Sequence, residues 1–257
     1  MKHIKKRYLR QPKLTEEASK FIEENFKPID EIDNSLYKKF SKTHNVLLKT
    51  EDELILGFIY NNNGKHIHIP LPDFTLVYYD FAYKMNKQRI KLEKELLNKL
   101  TDSETFTEDA SNELYHFYGT ATSVIISLFT AIESFMNQVL PENKEYVDVR
   151  NNRKEVYNYE QIQEYISFND KIKKVLPQFF GKNFYQNQNL TNQHITNLKE
   201  LRDNIVHTKS DNTNEKQIEL FKKLLKFKYE QTFESVRKFM NFYSDDYIID
   251  CDCGNDF

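Results

Sequence analysis

Arg202 and His207 stand five residues apart in the run Leu201-Arg-Asp-Asn-Ile-Val-His207, and they pair an always-charged bidentate donor with a group that titrates near neutrality. Phosphodiester chemistry that uses a ribose 2′-hydroxyl as nucleophile needs both. A guanidinium holds the phosphate and stabilises charge developing on its oxygens. An imidazole, with an ordinary pKa of about 6.5, takes the 2′-hydroxyl proton or gives one to the leaving 5′-oxygen. This route requires no metal and no cofactor. One imidazole carries half of the proton traffic well, so two copies of the motif facing each other would supply base and acid together.

Spacing by itself says little: with seven Arg and seven His in 257 residues, such a separation arises by chance roughly 0.2 times per chain. The surroundings add specificity. Ile195, Leu198, Leu201 and Ile205 recur at helical spacing before the polar stretch 210–214, so the pair ends an amphipathic helix. Five residues turn an ideal helix by about 140°, and the two side chains share a direction only where the helix ends between them. Arg202 falls at the edge of the apolar stripe, with its stem inward and its head seeking an anion or a carbonyl. His207 at the helix end is placed to swing toward the guanidinium, on its own chain or across a two-fold axis. The plainer alternative is a structural Arg capped by carbonyls and a His at a helix C-terminus, where a cation is favoured.

The element that must meet this helix is a long one. Leu114, Tyr118, Ala121, Ile125, Leu128, Ile132, Phe135 and Val139 recur at steps of four and three, which predicts one amphipathic helix ending before Pro141. Ser123, Ser127, Ala131 and Ser134 on a neighbouring face leave room for another backbone. Glu133 and Asn137, four apart, share one face of it, and Glu133 is placed to neutralise Arg202. Asp203 is placed to pair with Arg202, and Asn204 and Lys209 to touch phosphate.

The remaining elements frame these. A short helix is expected over 14–26 with Thr15 as N-cap, then three β-prone runs, Val46 to Lys49, Leu54 to Tyr60 and Lys65 to Ile69, the last two joined by a hairpin turn at Asn61-Asn62-Asn63-Gly64. A helix follows from about Asp73 to Leu100. The polar segment 101–107, rich in N-capping residues, marks the domain boundary. A charged linker at 142–158 leads to a helix from Tyr159 to about Leu176, and a single helix over roughly 215–243 aligns Ile218, Phe221, Leu225, Val236, Phe239 and Tyr243.

Here the sequence resembles the HEPN superfamily, helical bundles whose Arg-to-His motif commonly has a polar residue after the Arg. Arg202 to His207 fits without a gap. The stretch 127–140 is similar to the first long helix of many such domains, in which an acidic residue and an amide often lie near the site, the places Glu133 and Asn137 would fill. The stretch 168–180 is also similar, and the resemblance covers about residues 108–243. It implies an HEPN-like helical bundle, placed over 106–243; residues 1–105 gain nothing from it and read from their own pattern as a smaller α+β region with a short antiparallel sheet, residues 244–257 read as an acidic tail, and the fold class expected for the whole is mainly α. The resemblance further implies a homodimer with both motifs in a shared cleft and metal-independent endonuclease cutting of RNA, often in toxin–antitoxin or antiviral defence systems where an antitoxin or other regulatory protein is a partner. The alternative it leaves open is a non-catalytic dimeric module that binds RNA, a nucleotide or a protein. One branch of the superfamily carries a Tyr directly before the His that a partner enzyme modifies; Val206 stands there.

Composition bounds the rest. Thirty per cent charged residues, a mean hydropathy of −0.74 and only five Gly and six Pro fit a mostly helical protein with a polar surface. The net charge of −2 hides a basic start, six Lys or Arg within 1–13, and five Asp within 244–257. The basic arm with Tyr8 reads first as a solvated terminus. Cys251 and Cys253 are too close for a disulfide framework and form half a zinc site at most. His66 and His68 share a strand face, but no third ligand can be named. The basic start lacks the apolar run of a secretory signal, and the stretch 121–136 is interrupted by polar residues and falls short of a bilayer span. A reducing, cytoplasmic setting is expected.

Overall fold

The computed structural model describes residues 3–4, 14–25, 27, 33–40, 42, 46–49, 54–102, 107–150, 153–187, 189–208 and 213–251. The chain is mainly α, and it packs as two units, residues 6–76 and residues 77–257 together with 1–5.

The smaller unit holds helices α1 (Glu16–Asn25) and α2 (Asn34–Phe40) and an antiparallel sheet in the order β2 (Val46–Lys49), β3 (Leu54–Asn62), β4 (Lys65–Pro70). The Thr15 side chain accepts the Ala18 N–H at 3.2 Å, the N-cap its sequence position predicts. The hairpin turns at Asn63 and Gly64, whose φ values are 52° and 91°, and the Asn61 side chain accepts the Gly64 N–H at 2.8 Å. Ile55, Gly57 and Ile59 alternate inward on β3, and a Cβ on Gly57 would meet the Ile69 carbonyl oxygen at 2.8 Å; only glycine fits between these strands. Tyr37 of α2 covers His66 and His68, with ring centroids 5.9 and 5.5 Å apart. Burial pulls the His68 pKa down.

In the larger unit β1 (His3–Ile4) pairs antiparallel with β7 (Asp250–Cys251), so the acidic end of the chain is tied to its basic start there. Helix α3 (Phe74–Asp102) runs from the smaller unit into the larger. There Tyr79 and Tyr83 set their rings edge-on to Phe233, and Arg89 lies 3.9 Å from the Tyr229 ring centroid. The division of the chain thus falls near Leu76, within α3, whereas the rest of α3 and the helix that starts at Glu108 belong to one unit.

Helix α4 (Glu108–Val139) is the axis of this unit, capped by Thr107, which accepts the Ala110 N–H. Its Ala121, Ile125, Leu128, Ile132 and Phe135 are buried, each large one stabilising the fold by about 1.5–3 kcal/mol relative to exposure. Among the described helices α4 alone is long and apolar enough to cross a membrane by length and composition, with half of that window buried in the bundle. The sequence reading put the 121–136 run short of a span; the helix that carries it is longer, from Glu108 to Val139. Phe135 meets Phe239, and Tyr118 meets Phe221.

Three segments differ from expectation. The stretch 142–158 is no plain linker but contains a hairpin, β5 (Tyr146–Arg150) and β6 (Arg153–Tyr157). The helix expected from Tyr159 to Leu176 breaks after α5 (Tyr159–Tyr165), where Ser167 caps the next turn. It then continues as α6 (Phe168–Asp170), a π-helical turn over 171–175 and α7 (Leu176–Phe180), ending at Gly181 with φ 64°. Pro177 lacks an N–H and its ring crowds the carbonyl four residues back, which the wider turn accommodates. The expected single helix over 215–243 is two, α9 (Glu215–Lys226) and α10 (Tyr229–Tyr243), broken at extended Phe227. Helix α8 (Leu190–Val206), capped by Asn189, packs Ile195, Leu198 and Leu201 into the core.

Candidate functional site

The edge position of Arg202 on α8 brings its guanidinium against α4. Nη2 donates to Glu133 Oε2 at 3.4 Å, Nη1 donates to the neighbouring Asp203 Oδ1 at 2.9 Å, and the head group lies 4.5 Å from the Phe129 ring centroid. Its side chain is 28% exposed, so a ligand can still reach it from one side. Lys199, one turn back, donates to the other Asp203 oxygen at 2.5 Å. Two cations and two carboxylates therefore form one partly exposed cluster at the α4–α8 seam.

The two carboxylates respond differently. Burial pushes the Glu133 carboxyl above the usual carboxylate range, with Arg202 and Lys171 pulling it back only in part. Burial also opposes ionisation of Asp203, but hydrogen bonds from Lys199 and Arg202 outweigh it and hold that carboxyl below its ordinary value. Glu133 is thus the weaker acid of the two.

Asn137 lies one turn beyond Glu133 and has a different partner. Its Oδ1 accepts from Lys171 Nζ at 2.9 Å, and the same ammonium donates to the Gln163 carbonyl at 2.9 Å. Lys171 is only 8% exposed, and burial lowers its pKa against the pull of Glu133. The sequence reading missed Lys171. A signal existed: Lys171 precedes buried Val175 by one turn and adjoins buried Ile172, which puts it on the apolar side of its helix. Phe129 and Lys199 were missed as well; an aromatic core position and a surface-like lysine give no sequence sign of flanking an arginine.

His207 closes α8. Its backbone N–H donates to the Asp203 carbonyl at 2.9 Å, with φ −110° and ψ 47°, so the chain leaves the helical path at this residue. The side chain is exposed and borders a shallow hollow shared with Asn204, Thr208 and, from α9, Lys216, Glu219 and Lys223. The guanidinium therefore turns to α4 and the imidazole toward α9, and among the described residues no hydrogen bond joins them. Asn204 is exposed beside His207; Lys209 lies outside the described residues. Among the described residues no group of three or more His, Cys, Asp or Glu side chains is gathered as for a metal ion, and of the cysteine pair only the backbone of Cys251 is described.

Asn204 also lines a larger cleft between α8 and α9, of about 660 Å³, whose walls include Lys222, Lys223, Lys226 and Lys228. No protein-family model, no curated protein and no solved structure matches this chain, so these residues and their geometry are what its function must be argued from.

Proposed function

We propose that this chain is a metal-independent endoribonuclease of HEPN type that works as a homodimer. The observation that carries the reading is the end of α8: a solvent-exposed imidazole stands where the helix stops, one and a half turns beyond a guanidinium that keeps an open side. Because the two head groups of one protomer diverge, the reading needs a second copy of α8 to complete the site. In that arrangement one His207 takes the proton of the ribose 2′-hydroxyl, whose oxygen attacks phosphorus. The bond from phosphorus to the 5′-oxygen breaks, and the second His207, protonated, gives its proton to that oxygen. Arg202 holds the phosphate oxygens as charge gathers on them. Glu133 and Asp203 keep the guanidinium at the seam when no phosphate is present. The products are a 2′,3′-cyclic phosphate and a 5′-hydroxyl. The test is incubation of purified full-length protein with single-stranded RNA in EDTA. Cyclic-phosphate ends from wild type, and none from His207→Ala, are expected; equal cutting by both removes the reading.

A second reading has an observation of its own. Arg202 is matched by two carboxylates and lies over a ring, a set of partners that satisfies a structural arginine. On this reading the chain is a non-catalytic dimeric module binding RNA, a nucleotide or a protein. Growth of an expressing host separates the two: arrest by wild type but not by Arg202→Ala favours the nuclease, and free growth with both, without RNA cutting, favours the module.

A further inference from the structure

We infer that the cleft between α8 and α9 is the track along which a single strand of RNA lies on its way to His207. The inference deepens the nuclease reading and rests on it for the direction of the strand, but the binding it describes stands or falls separately. The cleft has a volume of about 660 Å³ and is walled by Lys222, Lys223, Lys226 and Lys228, with His194 and Phe227 beside them. The hollow at His207 shares Asn204, Glu219 and Lys223 with it and adds Lys216, so the two form one continuous surface. Set against these lysines are Glu200 and Glu219, an excess of positive charge in a chain whose total is −2.

Cations so close together repel, and those four apart on a helix, as Lys222 and Lys226 are, destabilise it unless something screens them. Lys222, Lys223, Lys226 and Lys228 make no ion pair among the described residues. The helix dipole accounts for Lys223 and Lys226 in the last turn of α9, but not for Lys228 beyond the break or for Lys222. A concave surface that collects unpaired lysines is a site for a polyanion. Dimensions favour an extended one: from Lys216 to Lys226 the helix rises about 15 Å, the length of about four stacked nucleotides at 3.4 Å each. Phe227 and His194 give bases a flat face to stack on, which an acidic peptide would not use. The track is distinct from the guanidinium cluster, because Glu200 and Asn204 point about 160° round α8 from Arg202.

The experiment measures binding of a short fluorescein-labelled 2′-O-methyl RNA, which has no free 2′-hydroxyl and cannot be cut, to the full chain across a salt series. Each phosphate contact contributes about 0.7 to the slope of log affinity against log salt for a single strand. The triple variant K222Q/K223Q/K226Q is expected to lose about 2 from that slope and to bind about 50-fold more weakly at 0.15 M salt. The control K91Q/K94Q/K144Q removes the same charge from elsewhere on the surface and is expected to keep its slope. Equal losses in the two triples, an unchanged slope in the first, or competition by poly-aspartate as effective as by RNA would each overturn the inference, the last in favour of an acidic protein partner. If wild type binds with these properties but cuts no unmodified RNA, the track stands and the nuclease reading fails. If it cuts and the first triple changes nothing, the nuclease reading stands and the track fails.

Discussion

The ammonium of Lys171 reaches Oδ1 of Asn137 at 2.9 Å from inside a π-helical turn, and it is nearly shut off from solvent. The turn widens the helix so that a cation sits where a regular α-helix would be set differently against α4. Among the described residues, Lys171 is the donor that both Asn137 Oδ1 and the Gln163 carbonyl accept from. Lys171→Met is therefore expected to cost about 1–3 kcal/mol, chiefly from leaving acceptors unpaired. Adding Asn137→Leu should return about 1 kcal/mol of it, since an apolar pair does not suffer that penalty. Urea denaturation of the two variants checks this; a double variant less stable than the single one would show that the bond is not what holds the turn.

Arg202 offers a second energetic test. Its contacts with Glu133 and Asp203 are partly exposed, so neither pair should contribute more than about 1 kcal/mol alone. A double-mutant cycle of Arg202→Ala with Glu133→Gln is expected to give a coupling of about 0.5–1 kcal/mol. Arg202→Lys should lose most of that coupling while keeping the charge, because an ammonium lacks the planar fork that reaches both carboxylates from a place over the Phe129 ring.

Much of this arrangement could be read before any coordinates. The steps of four and three from Leu114 to Val139 located α4, because a helix buried on one broad face imposes that period. Thr15 and the turn at Asn63-Gly64 were legible because their chemistry is local. The β5–β6 hairpin was not: the exposed residues of β6 show no apolar alternation, and the pairing is decided by the partner strand. The break at Phe227 escaped notice since Ile218 and Phe221 continue the helical spacing although both are largely exposed. At the site, the pairing of Glu133 with Arg202 is one of two roles the sequence leaves open for that acid, while the partner of Asn137 is not legible, because the π turn that carries Lys171 has no mark in hydrophobic period.

The opposite shifts of the two carboxylates on Arg202 give a pH signature. Glu133 has a raised pKa in the folded protein. Its contribution to stability is fully present below the ordinary value of 4.5 and is lost as pH rises through the folded value. Asp203 has a lowered one, so its contribution is present above 3.8 and is lost as pH falls through the folded value. Relative to wild type, Glu133→Gln should therefore gain in stability as pH rises from about 4 toward neutrality, and Asp203→Asn should gain as pH falls below about 4. Thermal melts over that range measure both; slopes of the same sign would contradict the assignment of burial to one acid and charged partners to the other.

The divergence of Arg202 toward α4 and His207 toward α9 makes the dimer testable through mixed protomers. If both His207 side chains serve one reaction, a dimer of one wild-type and one His207→Ala protomer lacks either its acid or its base. Its RNA cutting should then fall by about 10²–10⁴-fold, close to that of the homodimeric variant, rather than by half. The melting temperature should not move, because the exposed imidazole makes no side-chain hydrogen bond among the described residues and the capping bond belongs to the backbone. Two differently tagged chains, co-expressed and purified through both tags, provide the mixed species. Retention of about half the wild-type rate would mean that each protomer cuts alone, and a single chain would then have to bring its imidazole to a phosphate without the guanidinium of a partner.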